Sequence, residues 1–225
     1  MKRKIFFVTG TDTGVGKTVL TVLLVKFLCV RDFNVAGIKP ICSGVRDDAQ
    51  KIFLAMNGAL SLDEINPWHF RAPIAPLLAA QRENEKVKLP QILAHIFSTR
   101  KRFEILLVEG AGGLLSPLGE NFNSRDLILA LRATPIIVAQ NKLGAVNQIL
   151  LTLEALPKNL RNKTRVVLMS PRKLDAATKS NAKLLARFFA GKRIFTLPWL
   201  GGNFSMPEAL KNSRVRRTLR ALADQ

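Results

Sequence analysis

Short apolar runs alternate along this chain with longer segments whose apolar positions recur at helical spacing. Ile5–Val8 is a continuous apolar run, the mark of a strand buried on both faces, and Val35–Ile38, Ile105–Val108, Ile136–Ala139, Val166–Met169 and Ile194–Leu197 also read as strands. Between them, helical spacing predicts helices over Thr18–Val30, Leu89–Thr99, Arg125–Leu131, Ala145–Leu156, Ala176–Ala190 and Glu208–Ala223. Pro90 suits a first helical turn, and Pro157 ends the Ala145 helix. A short helix over Ala49–Met56 would take Asp47 or Asp48 as its cap. Residues 66–76 carry Pro67, Pro73 and Pro76 and read as a loop. Strand and helix alternate almost throughout, which predicts an α/β fold: a doubly wound, mainly parallel sheet with helices on both faces. With no repeat, low-complexity stretch or linker, residues 1–225 read as a single domain.

Composition narrows the class. At 225 residues the chain can bury a full core, and 48% apolar with 23% charged residues is globular. Two cysteines, Cys29 and Cys42, exclude a disulfide framework, and His69 and His95 share no ligand spacing. The apolar run behind Met1–Lys4 is too short for a secretory core, and none reaches membrane-spanning length. The expectation is a soluble, reduced, cytoplasmic protein with no membrane partner. The net charge of +19 is uneven: residues 157–225 hold 16 basic and 3 acidic residues, against 19 and 13 in residues 1–156.

The chemistry begins after the first strand. Gly10-Thr11-Asp12-Thr13-Gly14-Val15-Gly16-Lys17-Thr18 lies between a strand and a helix, the context of a phosphate-binding loop. Glycines let backbone N–H groups turn towards phosphate oxygens, and the helix start adds positive partial charge. Lys17 would reach the β- and γ-phosphates, and the Thr18 hydroxyl would ligate Mg2+. Five residues separate Gly10 from Gly16 where the usual form has four. Two further clusters sit at strand ends: Lys39-Pro40-Ile41-Cys42-Ser43-Gly44 and Glu109-Gly110-Ala111-Gly112-Gly113. In a parallel sheet these ends share one ligand-binding edge, so Lys39, Asp48 and Glu109 can converge on the loop. Singly, Lys39 reads as a surface lysine and Asp47 and Asp48 as caps; jointly they read as a site. Mg2+ wants oxygen ligands, and Asp48 and Glu109 offer two carboxylates.

These clusters, in this order, resemble the dethiobiotin synthetase family from about residue 4 to about residue 208. Asn66-Pro67, Pro73, Pro76, Lys142-Leu143-Gly144 with Asn147, and Pro198-Trp199-Leu200 match shorter family elements. The resemblance implies a P-loop NTPase fold and the ATP-dependent conversion of 7,8-diaminononanoate and CO2 to dethiobiotin, through a carbamate and a carbamic-phosphoric anhydride. It implies Lys39 and Lys17 as catalytic, and Thr18, Asp48 and Glu109 as Mg2+ ligands. The nucleotide would lie along Gly14, Val15, Gly16, Lys17, Thr18 and Val19, beside Asp48 and Glu109, Gly110, Ala111 and Gly112. Its base would meet Ser170 and Pro198, Trp199 and Leu200. Thr13, Lys39, Ser43, Gly144 and Asn147 would bind the diamine, across a homodimer. One departure stands out: Ser170 lies where the family often has Asn, which implies looser base choice.

Two rival readings carry weaker marks. Partitioning-type P-loop ATPases have a second lysine five positions before the loop lysine; here that position is Asp12. A nucleic-acid-binding protein is suggested by Arg214, Arg216, Arg217 and Arg220, but no recognition motif accompanies them and the chain has no Tyr. A solvated basic face is the better account, and nucleic acid is not expected as a partner.

Overall fold

The computed structural model describes residues 3–189, 193–202 and 204–224. In chain order the elements are β1 (Lys4–Gly10), α1 (Lys17–Cys29), β2 (Val35–Ile38), β3 (Ile41–Ser43), α2 (Asp47–Ala55), α3 (Leu62–Ile65) and β4 (Trp68–Phe70). There follow α4 (Pro76–Arg82), α5 (Leu89–Arg100), β5 (Ile105–Glu109), β6 (Pro117–Gly119), β7 (Phe122–Asn123), α6 (Ser124–Leu131) and β8 (Thr134–Gln140). The last third holds α7 (Ala145–Glu154), α8 (Lys158–Arg161), β9 (Arg165–Met169), α9 (Ala176–Phe188), β10 (Ile194–Leu197), α10 (Met206–Lys211) and α11 (Ser213–Ala223).

Six strands form one wholly parallel sheet in the order β10-β9-β8-β1-β5-β2. All six runs read as strands are here, and the doubly wound expectation holds. From β1 the chain crosses to the edge strand β2, returns to β5 between them, and then builds outward on the other side of β1 through β8, β9 and β10. β1 is therefore the switch point, where an open parallel sheet presents its binding crevice. The continuous apolar runs are explained by burial: Phe7, Val8, Leu106, Leu107, Val108, Ile136, Ile137 and Val138 have no exposed surface. One helix layer groups α1 with α2, α10 and α11; the other pairs α5 with α6 and α7 with α9. α1 drives Leu20, Leu23, Leu24 and Leu28, all fully buried, into the core. Among the described residues no helix is long and apolar enough to cross a membrane.

Several expectations are corrected. The stretch 66–76 is not all loop: Trp68–Phe70 pairs in parallel with Ile41–Ser43, so Cys42 is a buried strand residue. Prolines at 67, 73 and 76 flank this short strand without interrupting it. Neither Asp47 nor Asp48 caps α2; both lie in its first turn, the cap position is Arg46, and no side chain caps it. The terminal helix is two helices, because Asn212 leaves helical geometry and its side chain accepts from the N–H groups of Arg214 (2.9 Å) and Val215 (3.4 Å). α9 ends at Phe188, and Ala190 lies outside the described residues. The helices α3, α4 and α8 and the β6–β7 hairpin are too short for a periodic signal; only the Ser61/Glu64 capping box announces α3.

Candidate active site

The loop after β1 is shaped by its glycines. Gly16, at φ 100°, is the cap of α1, and Gly14, at φ 70°, turns the chain ahead of it. Side chains rarely adopt these angles, and both positions are glycine. No side chain caps α1, so its first N–H groups are left without a side-chain partner. Lys17 folds back over the loop and donates to the Asp12 carbonyl at 2.8 Å, closing the turn across the extra residue. It is only 7% exposed. Burial lowers its pKa to about 8, partly opposed by Glu109.

The three strand-end residues do converge. The Lys39 ammonium, at the end of β2, donates to Glu109 Oε1 at 2.9 Å and pairs with Asp48 Oδ2 from the first turn of α2. Burial opposes its charge, but Glu109 and Asp48 outweigh this and hold the ammonium above the usual lysine range. Burial pushes the Asp48 carboxyl upward, and Lys39 more than reverses this, so it stays below the usual carboxylate range. Thr18 donates to the same Glu109 Oε1 at 2.7 Å. Glu109 closes β5 with its side chain fully buried, and its other oxygen, Oε2, has no hydrogen-bond partner among the described residues. Thr18, Asp48 and Glu109 thus form an all-oxygen set with one buried lone-pair site unused. That fits Mg2+, with phosphate and water completing the shell. Among the described residues no cluster of three or more His, Cys, Asp or Glu could cage a metal alone.

The other candidates are arranged around this centre. Gly110 and Gly112 shape a loop that passes against the phosphate loop; a side chain at Gly113 would stand 3.5 Å from the Gly10 and Thr11 carbonyls. Ala111 is half-buried in that loop, Val15 is buried and Val19 half-buried under the crevice, and Thr13 is exposed at the loop's tip. Ser43 donates to the Ile74 carbonyl at 2.6 Å. Ser170 follows β9 and its N–H bonds the Leu197 carbonyl (2.9 Å), so it neighbours the Pro198, Trp199 and Leu200 turn; Trp199 is 52% exposed. Gly144, in left-handed geometry, caps α7, and Asn147 is exposed in the first turn. No hydrogen bond or ion pair among the described residues joins Gly144 or Asn147 to Lys39; three strand spacings separate the ends of β8 and β2.

Four supporting residues carry no signal in the spacing of motifs. Fully buried Asn66 donates to the Lys39 carbonyl at 2.8 Å, and its own oxygen accepts from Arg46 Nε (3.1 Å) and the Cys42 thiol (3.2 Å). Arg46 also holds the Asn66 carbonyl (2.6 Å) and Asp63. Gln140 donates to the Gly14 carbonyl at 3.3 Å, and Met169 lies where a side chain on Gly16 would meet it at 3.0 Å. Only the pairing of Asn66 with Pro67 marks any of these in the sequence.

The AAA domain family profile matches residues 4–202. An Anaeromyxobacter dehalogenans protein named ATP-dependent dethiobiotin synthetase BioD is 36% identical over 198 residues, covering 86% of this chain and 89% of that one. The chain belongs to the dethiobiotin synthetase family. Proteins of the same name from an Anaeromyxobacter species (42% identical, 67% of this chain and 69% of that one) and Bacillus velezensis (39%, 66% of each) also match. Among solved structures, the chain resembles the MinC:MinD cell division protein complex of Aquifex aeolicus (TM-score 0.60, 14% identity, 99% and 96% coverage) and a ParA family ATPase from Chlorobium tepidum (0.56, 11%, 98% of each). At that identity these neighbours establish the P-loop NTPase fold alone. The family is that of ATP-dependent ligases, and the partitioning ATPases are relatives by fold.

Proposed function

We propose that this chain closes the ureido ring of dethiobiotin from 7,8-diaminononanoate, CO2 and ATP, with Mg2+, releasing ADP and phosphate. The observation that carries the reading is Lys39, buried and charged at the end of β2, held between Asp48 and Glu109 beside the phosphate loop. This is the family's element in a position where a cation can face both a phosphoryl group and an acceptor oxygen.

One substrate amine adds to CO2, giving a carbamate and losing a proton. A carbamate oxygen attacks the γ-phosphorus, and the bond to ADP breaks. The second amine then attacks the carbonyl carbon, and phosphate leaves as the ring closes and that nitrogen gives up a proton. Both reactants are anions, so the protein's task is to neutralise and align them. Lys17 and the first N–H groups of α1 would take the triphosphate. Lys39 would face the carbamate and the transferring γ-phosphate, with Asn66 fixing the backbone that carries it. Thr18, Asp48 and Glu109 would hold Mg2+, which when bound neutralises charge developing on the phosphates. No side chain need act as nucleophile.

The substrate carboxylate would lie at Gly144 and Asn147, where the start of α7 presents N–H groups. Three strand spacings put roughly 14 Å between the ends of β2 and β8 of one chain, more than an extended nine-carbon substrate spans, so the anchor and the Lys39 serving one substrate would come from different chains. We assign this anchor to the partner subunit of a homodimer, and the cytoplasm as compartment. The test is incubation with diamine, 13C-bicarbonate, Mg2+ and ATP, with mass detection of labelled dethiobiotin and ADP. Lys39→Ala should lose turnover by at least about a hundredfold while retaining nucleotide binding. Near wild-type turnover of that variant would overturn the role of Lys39; absence of labelled product from folded, nucleotide-binding protein would overturn the reaction.

A further inference from the structure

We infer that Lys39 is the internal cation of the metal site: it and the divalent ion compete for the same two carboxylates, and metal binding hands Lys39 over to the reacting anions. The inference rests on the metal ligands proposed above and adds to them an order of events.

Three observations carry it. Lys39 pairs with Asp48 and Glu109, both carboxylates of the proposed ligand set, and with no other acid among the described residues. Its ammonium and the Thr18 hydroxyl converge on one oxygen, Glu109 Oε1. Lys39 and Glu109 side chains are 7% and 0% exposed while Asp48 is 40% exposed, so water reaches Asp48 but cannot screen Glu109 if a cation is withdrawn. A carboxylate buried as Glu109 is needs a positive charge beside it. An ammonium and a divalent ion touching the same oxygens repel each other, so the arrival of one weakens the hold on the other. The lysine loses its two acidic partners as the metal gains them, which frees its charge for the carbamate and γ-phosphate. Arg46 does not substitute for it, being committed to Asn66 and Asp63.

The test uses Mn2+ as the probe, on nucleotide-free full-length protein, with free ion counted by electron paramagnetic resonance. Lys39→Met and Lys39→Gln should each bind Mn2+ at least about tenfold more tightly than wild type, since each removes the competing charge. Lys39→Arg, which keeps it, should not gain. Glu109→Gln should bind Mn2+ more weakly than wild type. If the Met variant does not fold, the Gln variant and Mg2+ titration of 13C-lysine-labelled wild type remain; Mg2+ should shift the Lys39 ε-carbon resonance, identified by its loss in Lys39→Gln. Mn2+ affinity unchanged or weakened in the Lys39 variants, with Glu109→Gln still weakened, would overturn the competition and leave the ligands standing. Equal Mn2+ binding by wild type and Glu109→Gln would overturn both.

Discussion

Lys17 should make the ligand-free protein less stable than a variant that lacks its charge, by an amount that disappears in alkali. The perturbation is Lys17→Met, which keeps the length of the side chain and removes the ammonium. In the fold Lys17 is buried and its pKa falls from 10.5 to about 8, with burial the main cause and Glu109 only partly compensating. A fall of that size corresponds to about 3 kcal/mol of destabilisation while the lysine is charged in both folded and unfolded chains. Lys17 also donates to the Asp12 carbonyl, a bond worth about 1 kcal/mol that methionine loses. Below pH 8 the variant should therefore be more stable by about 2 kcal/mol. As pH rises through 8 the folded protein sheds the Lys17 proton while the unfolded chain keeps it up to 10.5. The unfolded state binds more protons over this window, so wild-type stability rises with pH relative to the variant. The gap should close between these limits, and the order should reverse at the top. Urea unfolding of both proteins without nucleotide, at several pH values from neutral to 10.5, measures it. Differences in packing between Lys and Met do not depend on pH, so the narrowing is diagnostic. A gap that stays constant across the window would refute the buried, desolvated lysine. The same cost is useful in function, because a triphosphate supplies the negative charge that the folded loop withholds.

Glu109→Gln and Asp48→Asn should each raise the Mg2+ concentration for half-maximal turnover while leaving the fold intact; an unchanged midpoint for both would mean other ligands hold the metal. Base choice should be loose, since Ser170 offers one hydroxyl where an amide pairs donor with acceptor; kcat/KM for ATP over GTP and CTP should stay below about a thousandfold, and a larger ratio would contradict it. Lys39→Ala and Gly144→Glu homodimers should both be nearly inactive, yet remixed heterodimers should recover one intact site in two. No recovery from proven heterodimers would mean each site is built within one chain.

The sheet was legible because its central strands are buried on both faces, and Ile105–Val108 or Ile136–Ala139 could be little else, although edge strand β10 is only partly buried. The site was legible for a related reason: parallel strands gather residues distant in sequence onto one edge, so Lys39 and Glu109, 70 positions apart, could be paired from topology alone. What failed was local. Trp68–Phe70 is three residues long amid prolines, and its pairing with Ile41–Ser43 depends on a tertiary neighbour. Asp48 sits beside Lys39 as a ligand of the site would, and it is no cap because α2 begins at Asp47 with Arg46 in the cap position, its guanidinium spent on Asn66 and Asp63. Asn66 itself satisfies three segments at once, a role set by where the chain passes and invisible in spacing.

The strong positive charge of the chain and the chemistry of the site are separate matters. Arg214, Arg216, Arg217 and Arg220 are exposed on α11, whose other face buries Val215, Leu219 and Leu222 against the fold. Helical amphipathicity alone accounts for that arrangement. In the crevice the side-chain charges balance: Lys17 and Lys39 stand against Asp48 and Glu109. A balanced cluster attracts a triphosphate only weakly. A divalent ion seated on the two carboxylates would leave both lysines uncompensated, and the cluster would then match the anions it has to align. The lysine–carboxylate bonds therefore tie the two events together, since what releases Lys39 is also what makes the site positive.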